Sequence, residues 1–155
     1  MNHPHHSIQR VGAADIGDLL PLVRAYCDFY AVAPTDVQLR AISEALIADP
    51  AREGLQLIAR GDNGEATGFA TVFWSWSTTD GGRIGVMNDL FVVEAARGTG
   101  IAERLIEACR RAAADHDAGQ LTWQTAPDNA RAQRVYDRVG ATREQWVDYW
   151  LASTE

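Results

Sequence analysis

The stretch Asn88-Asp89-Leu90-Phe91-Val92-Val93-Glu94-Ala95-Ala96-Arg97-Gly98-Thr99-Gly100-Ile101-Ala102 decides the fold of this chain. An apolar strand runs into a short loop with two glycines, and the loop opens a strongly amphipathic helix. The start of a helix leaves about four backbone N–H groups unpaired, and the helix dipole favours anions there. Gly98, Gly100 and the small Ala102 allow a ligand to come close to the backbone. Arg97 adds positive charge at the same place, so the stretch predicts a cradle for a phosphate or diphosphate.

The glycines of this loop also allow structures other than a phosphate cradle. On glycine spacing alone, an ordinary strand-to-helix turn is an equal alternative. A dinucleotide-binding turn fits less well, because Gly98-x-Gly100-x-x-Glu103 lacks a third glycine and no β-α unit precedes it. A Walker-type phosphate loop is excluded, since all 14 basic residues are arginine and the chain has no lysine.

The order of elements predicted from hydrophobic periodicity is β-α-α-β-β-β-α-β-α-β. The predicted helices are 14–29, 35–49, 99–116 and 129–139, and the predicted strands are 7–11, 55–60, 67–76, 84–93, 121–125 and one or two closing strands over 141–151. Three consecutive strands favour antiparallel pairing, and the later β-α-β segment favours a parallel pair. We therefore expect an α/β fold with a mixed, mostly antiparallel sheet flanked by about four helices.

Length and composition limit the class of protein. A chain of 155 residues with 46% hydrophobic residues fits one domain, predicted over 7–155 after a flexible tail at 1–6. The net charge of -7 argues against binding nucleic acid through its phosphates. No segment is apolar enough for a membrane span or a signal peptide, so we expect no membrane partner and a cytoplasmic location. Cys27 and Cys109 cannot supply a four-cysteine zinc site, and no metal is expected.

The second half of the chain supplies a partner for the cradle. The strand predicted at 121–125 leads through a loop to Asn129 and then to Tyr136. These two residues are seven positions apart, so they differ by about 20° around a helix and share one face. If that face borders the cradle, Asn129 can hydrogen-bond a ligand amide and Tyr136 can present its phenol. The alternative is that Asn129 only caps the helix and Tyr136 only packs.

These motifs together resemble a known family. The pattern Arg97-x-x-Gly100-x-Ala102 after an apolar strand is similar to the acetyl-CoA signature of the GNAT N-acetyltransferase superfamily. The pattern Asn129…Ala132…Tyr136…Gly140-Ala141 is similar to its second motif. Asp89-Leu90-Phe91-Val92 and Trp123-Gln124-Thr125 resemble the branch of diamine and polyamine acetyltransferases and small histone/polyamine acetyltransferases. The resemblance covers essentially the whole chain, and it implies a sheet that splays open beside the cradle.

The resemblance also implies roles for individual residues, with acetyl-CoA as the acyl donor. Backbone groups of Leu90, Phe91 and Val92 would pair with its pantetheine arm as an added half-strand. The residues expected around its diphosphate are Arg97, Gly98, Thr99, Gly100, Ile101, Ala102 and Glu103. Asn129 and Ala132 would contact the pantetheine arm. Tyr136 would lie near the sulfur and protonate the leaving thiolate as a general acid.

A primary amine would attack the thioester directly, and it needs a base because free alkylamines titrate near pH 10.4. Where polyamine-type relatives have a glutamate, this chain has Asn88, which cannot accept a proton. Asp89 follows and is the candidate base, through water or after a β-bulge, since adjacent strand residues face opposite sides. The alternative is an Asp89 buried against a helix N-terminus or an arginine. The candidate substrate-binding residues are Asp28, Tyr30, Trp74 and Asn88.

The expected function is transfer of an acetyl group from acetyl-CoA to a small primary amine of a cationic, polyamine-like or aminoglycoside-like kind. One alternative is a protein acetyltransferase that modifies a lysine or an N-terminal amine. Another is a non-catalytic sensor that binds coenzyme A, which Asn88 at the base position keeps open. A homodimer is expected, with Asp148, Tyr149 and Trp150 reaching the partner subunit.

Overall fold

The structure is a computed structural model that describes residues 6–154 of the chain. The strands of this described part are β1 Ser7–Arg10, β2 Gly54–Arg60, β3 Ala66–Ser77, β4 Gly82–Val92 and β5 Leu121–Thr122. Its α-helices are α1 Ile16–Phe29, α2 Asp36–Ala48, α3 Ile101–Asp115 and α4 Ala130–Arg138. Short 3-10 turns precede α1 and follow β4, at Ala13–Asp15 and Glu94–Ala96.

The described strands form one sheet in the order β1-β2-β3-β4-β5. The pairs from β1 to β4 are antiparallel, whereas β4 and β5 are parallel. The parallel pair follows from chain direction, because α3 carries the chain back before β5 begins. The predicted mixed, mostly antiparallel sheet with four flanking helices is therefore confirmed.

Hydrophobic side chains cover both faces of the sheet. On one face α3 buries Leu105 and Cys109, both at 0% exposure, against β3 and β4. Burial raises the pKa of the Cys109 thiol to about 12, so this cysteine stays a neutral core residue. On the other face α1 and α2 pack on Ile58 and Phe69, which are also fully buried. The two layers hold the central strands rigidly and leave β5 at the sheet edge.

The end of the chain differs from the prediction. β5 has two residues instead of five, and among the described residues the predicted strands at 141–151 are absent. In what we call the C-terminal segment, residues 141–154, the large apolar side chains are exposed by 77% to 93%. These are Trp146, Val147, Tyr149, Trp150 and Leu151. The alternation of a strand is present in the sequence, but a strand also needs a neighbouring backbone to pair with.

The start of the chain is described from His6 onward. His6 is buried, and its carbonyl oxygen accepts a hydrogen bond from Arg104 on α3. Residues 1–5 of the predicted tail lie outside the described residues, so a flexible tail at 1–6 stays a prediction. Within the part of the chain that the structure describes, no helix combines the length and apolar character needed to cross a bilayer.

Candidate active site

A gap in the sheet opens between β4 and β5. The two strands pair only where Gly85 meets Leu121 and Val86 meets Thr122. Beyond that point, among residues 6–154, no strand lies beside β4 on its β5 side. A central strand thus keeps one unpaired edge, and its backbone N–H and C=O groups on that edge need other partners.

The orientation of these groups follows from the register of β4. The Val93 N–H donates to the Thr67 carbonyl of β3 at 2.9 Å. Because alternate residues of a strand turn their backbone groups to opposite edges, Leu90 and Val92 face the gap. The Phe91 backbone faces β3 instead. The prediction that Phe91 offers backbone groups to the acyl donor is therefore wrong, whereas Leu90 and Val92 are placed to do so.

The loop after β4 leads directly from this edge to α3. Gly98 and Gly100 have φ of 76° and 83°, in the left-handed region that favours glycine. A Cβ added to either glycine would meet nothing within 4 Å, so the loop surface is open. No side chain caps the first turn of α3. The backbone N–H groups at the start of α3 therefore remain available to an anion, as a diphosphate cradle requires.

The side chains predicted around the cradle mainly hold its shape. The Thr99 hydroxyl donates to the Ala96 carbonyl at 2.6 Å. The Arg97 Nε donates to the Val92 carbonyl at 3.0 Å, which keeps the guanidinium beside the open edge of β4. The Ile101 side chain is buried, with 1% exposure, so only its backbone can touch a ligand. The cradle is thus formed by backbone groups together with one fixed positive charge.

Glu103 connects the cradle to α4. Its carboxylate accepts hydrogen bonds from the Arg138 guanidinium, the shorter at 2.7 Å. Burial is the largest single effect and raises the pKa of Glu103, but the hydrogen bond and charge of Arg138, together with a backbone hydrogen bond, outweigh it, so the pKa lies below its ordinary value. The side chain is therefore an ion-pair partner of α4 and does not itself bind a diphosphate.

The start of α4 borders the same gap. The Asn129 side-chain oxygen accepts the Ala132 N–H at 3.1 Å, so Asn129 caps this helix. The Ala132 N–H is therefore unavailable to a ligand. The Asn129 Nδ2 group has no hydrogen-bond partner within residues 6–154. The sequence predicts that both Asn129 and Ala132 contact the pantetheine arm. Of these two residues, only Asn129 retains a free polar group, its Nδ2 amide, for that contact.

A small pocket lies at the mouth of the gap. Its lining residues are Tyr26, Tyr30, Met87, Asn88, Leu90, Trp123, Gln124 and Tyr136. The structure thus brings together the predicted residues Tyr30, Asn88, Leu90 and Tyr136, which come from three separate elements. Four lining residues were missed as site residues. Only the spacing of Tyr26 and Tyr30 could have revealed one of them, since residues four apart share a helix face.

Tyr136 is held in an environment that keeps its phenol protonated. Its ring meets Trp123 edge to face at 5.3 Å between centroids. Burial raises the pKa of Tyr136, and the neighbouring Tyr30 raises it further, against a smaller opposing effect of Thr125. A phenol with a raised pKa retains its proton at neutral pH, so Tyr136 carries a proton at the mouth of the gap.

Asp89 lies behind the pocket because of a β-bulge. Thr71 of β3 pairs with Asp89, and the next residue, Val72, pairs with Met87, so Asn88 is the extra residue. Asn88 is exposed at the pocket, whereas the Asp89 side chain turns to the α1 face beside Thr71 and Tyr26. Burial raises the pKa of Asp89, although hydrogen bonds from Thr71, Tyr26 and Asn88 oppose the increase.

Two predicted substrate residues lie away from this pocket. Trp74 is 9% exposed in the core on the α3 face, where its indole N–H donates to the Pro50 carbonyl at 2.9 Å. Its ring stacks on His116 at 4.1 Å between centroids, so it is a packing residue and does not line the pocket. Asp28 is exposed near the end of α1 and does not line the pocket.

The family model that describes the acetyltransferase (GNAT) family matches residues 20–141 of the chain. This chain belongs to the GNAT acetyltransferase family. The match spans the cradle, the gap and α4. A curated relative named an uncharacterized N-acetyltransferase, YhfO of Bacillus subtilis (strain 168), is 33% identical over 146 residues. The alignment covers 94% of this chain and 96% of the relative.

Solved structures share the fold of this GNAT acetyltransferase. A crystal structure of a probable acetyltransferase has a TM-score of 0.83 and 24% identity, covering 96% of this chain and 99% of that one. The structure of AAC(6')-Iy with a bisubstrate analog, CoA-S-monomethyl-acetylneamine, has a TM-score of 0.82 and 22% identity. That alignment covers 96% of this chain and 98% of AAC(6')-Iy.

A pair of glycine substitutions tests the cradle. Gly100→Ala puts a methyl group into the open space of the loop, where the diphosphate would lie. We expect the affinity for coenzyme A to fall about tenfold or more, which corresponds to the loss of about one hydrogen bond to a charged group. Gly64→Ala in the β2–β3 hairpin is the matched control, because Gly64 has a φ of 80° and equally open surroundings. Both variants should lose about 1–2 kcal/mol of unfolding free energy from the left-handed backbone. Isothermal titration calorimetry with coenzyme A and urea denaturation measure the two effects. Equal affinities of the two variants would contradict the cradle.

Proposed function

We propose that this GNAT acetyltransferase transfers an acetyl group from acetyl-CoA to the primary amine of a small acceptor, by direct attack of the amine. One observation carries the proposal. The open edge of β4 turns the backbone groups of Leu90 and Val92 into the same gap that holds the Tyr136 side chain. A donor bound along this edge would bring its thioester to the pocket mouth.

The residues present fit the acyl donor. Leu90 offers an N–H and a C=O group that the amides of a pantetheine arm need for strand-like pairing. The Val92 carbonyl accepts from Arg97, so Val92 adds only its N–H to the open edge. The start of α3 offers unpaired N–H groups for the diphosphate, beside the Arg97 guanidinium. A structure of AAC(6')-Iy, which has a similar fold, contains coenzyme A, and this supports the proposal that the present chain binds the same cofactor.

Two groups of this chain would act on the reacting atoms of the thioester. The Val92 N–H faces the gap and would donate to the thioester oxygen as it gains negative charge. Tyr136 would give its proton to the leaving sulfur, for which its protonated phenol is suited. Asp89 would be the final proton acceptor for the amine, since its raised pKa makes it a better base than an ordinary aspartate.

The acceptor that we propose is a small cationic amine of the polyamine or aminoglycoside kind. The net charge of -7 favours the approach of cations. The Asp148 carboxylate accepts a hydrogen bond at 2.7 Å from Gln124 of the pocket wall, so a negative charge lies beside the pocket. The acetylneamine part of the analog bound to AAC(6')-Iy supports an aminoglycoside among the amines to be tested. The cytoplasmic location stays a prediction.

The direct test is the release of free coenzyme A thiol from acetyl-CoA with a panel of amines. We expect turnover with diamines, polyamines or aminoglycosides, and little with a peptide that presents an N-terminal alanine. Tyr136→Phe should lower kcat about a hundredfold or more, because general acid catalysis typically contributes about that factor. Its affinity for coenzyme A should stay unchanged. Trp76→Phe, which alters an exposed ring on β3 outside the pocket, is the control. Tight binding of coenzyme A without turnover for any amine would point to the sensor and overturn the proposal.

The pH dependence of kcat tests Asp89 as the base. A base must lose its proton before it can act, so kcat should rise with pH through the pKa of Asp89. Because that pKa is raised above the ordinary 3.8, the rise should lie above pH 3.8. Tyr136 must keep its proton, and its pKa is raised above 10.0, so it should cause no loss of rate below about pH 10. The measurement is the pH profile of kcat at saturating substrates for wild type and for Asp89→Asn. If the rise of kcat on the acidic side is unchanged in Asp89→Asn, Asp89 is not the base.

We also propose that two copies pair through the C-terminal segment. The apolar side chains of 146–151 are exposed, and a strand-like alternation lacks a backbone partner within residues 6–154. Aromatic side chains bury about 150–250 Å² each, so the five exposed apolar residues together supply roughly 800 Å². This is about the area that each partner buries in a stable interface. A second copy of this chain offers the same segment and the same open β5 edge.

Light scattering after size-exclusion chromatography tests this pairing. Wild type should elute at twice the mass of 17.0 kDa. Trp150→Asp should elute as a monomer, because a charge in a buried apolar interface is unfavourable. Trp76→Asp is the matched control, since Trp76 is 72% exposed on β3 and lies outside the segment. A wild-type protein that elutes as a monomer, or two variants that behave alike, would refute the pairing.

A further inference from the structure

The proposed base does not reach the proposed acceptor. Asp89 lies on the α1 face of β4 and is absent from the pocket lining in the described part of the chain. Its carboxylate interacts with the side chains of Thr71, Tyr26 and Asn88. A proton that leaves an amine in the pocket must therefore pass through one of these groups, or through water that they enclose.

Thr71 and Asn88 are unsuited to carry this proton. Thr71 is fully buried between the sheet and α1, and it accepts a hydrogen bond from Gln56 Nε2 at 3.1 Å. Its own hydrogen is then free to face Asp89, but it has no contact with the pocket. Asn88 lines the pocket and donates to Asp89 Oδ1 at 3.0 Å through its amide nitrogen. An amide NH₂ group donates only and cannot accept the proton of an amine.

Tyr26 has the required position and chemistry. Among the described residues it is the hydroxyl-bearing side chain that both lines the pocket and interacts with the Asp89 carboxylate. A phenol oxygen can accept one proton while its own proton moves to a neighbour. The hydroxyl also donates to the Asn88 carbonyl at 3.3 Å, a long and therefore weak hydrogen bond. The hydroxyl is thus able to turn to Asp89 at little energetic cost.

Packing fixes the Tyr26 ring between the pocket and the core. The ring meets Tyr30 edge to face at 5.0 Å and Phe69 at 5.9 Å between centroids. Burial raises the pKa of Tyr26 far above its ordinary value, and the nearby Asp89 raises it further. Tyr26 therefore does not become a free tyrosinate. It can release its proton to Asp89 only as it receives another.

We propose that Tyr26 is a catalytic residue that passes the proton of the acceptor amine to Asp89. The inference rests on the proposed function. As the nitrogen–carbon bond forms, the amine N–H bond breaks and its proton moves to the Tyr26 oxygen. The Tyr26 O–H bond breaks at the same time, and its proton moves to Asp89, which becomes a neutral carboxylic acid. The carbon–sulfur bond then breaks, and the sulfur takes the proton of Tyr136. Asp89 later loses its proton to solvent, and Tyr136 regains one.

The test is Tyr26→Phe, which keeps the ring contacts and removes only the hydroxyl. With an amine that wild type acetylates, we expect kcat to fall about a hundredfold, the usual size of a proton-transfer contribution. The KM for acetyl-CoA should stay unchanged, and the melting temperature should fall by only about a few degrees, because one hydroxyl that contacts Asp89 and Asn88 is lost. Trp76→Phe should match wild type in all three quantities, because Trp76 is exposed on β3 and does not line the pocket. A Tyr26→Phe kcat within threefold of wild type, or an effect on the acceptor KM alone, would overturn the proposal.

A double-mutant cycle separates a relay from a merely structural role. If Tyr26 acts through Asp89, the double variant with Tyr26→Phe and Asp89→Asn should be no slower than Asp89→Asn alone. Multiplied losses in the double variant would show independent roles and overturn the relay. The two failures remain distinguishable. If wild type turns over no amine, the proposed function is refuted. If wild type turns over an amine and Tyr26→Phe has the same kcat, only the relay is refuted.

Discussion

The unpaired edge of β4 is the constraint on which the rest of the structure depends. Parallel pairing with β5 stops after Val86 and Thr122, so the interior of the sheet retains backbone groups with no strand to bind them. Buried N–H and C=O groups without partners are unfavourable, and a ligand that pairs like a strand removes that cost. The cradle at the start of α3 continues the same edge. The fold thus leaves an open backbone edge that leads to the start of α3, whatever side chains surround it.

The chemistry is divided between the two faces of β4. Tyr136 on α4 lies at the mouth of the gap, where a leaving sulfur would emerge. Asp89 lies on the opposite face, against α1. The bulge at Asn88 produces this separation, because one extra residue moves Asp89 into register with Thr71 and keeps Met87 in the α3 core. The proposed acid and the proposed base therefore lie on opposite faces, and the Tyr26 hydroxyl lies between Asp89 and the pocket.

Local patterns in the sequence were sufficient for much of the fold and the cradle. Neighbouring residues are enough to predict the apolar stripe of α3, with Leu105 and Cys109. The same holds for the turn that requires glycine at 98 and 100. Features that depend on distant neighbours were not accessible. Period-two alternation puts Trp74 and Trp76 on one face of β3, but only the packing of α3 shows that Trp74 is buried while Trp76 is exposed. No glycine or proline marks the bulge at Asn88. The C-terminal segment has a strand-like sequence, yet strand formation requires a partner edge that this chain does not supply within residues 6–154.

The most direct test of the central claim is amide hydrogen exchange, followed by NMR residue by residue along β4 with and without coenzyme A. The Phe91 amide should be protected in both conditions, because its backbone groups face β3. The Leu90 and Val92 amides should exchange quickly in the free protein and become protected when coenzyme A binds. Rapid exchange of Leu90 and Val92 at saturating coenzyme A would contradict the claim that this edge holds the acyl donor.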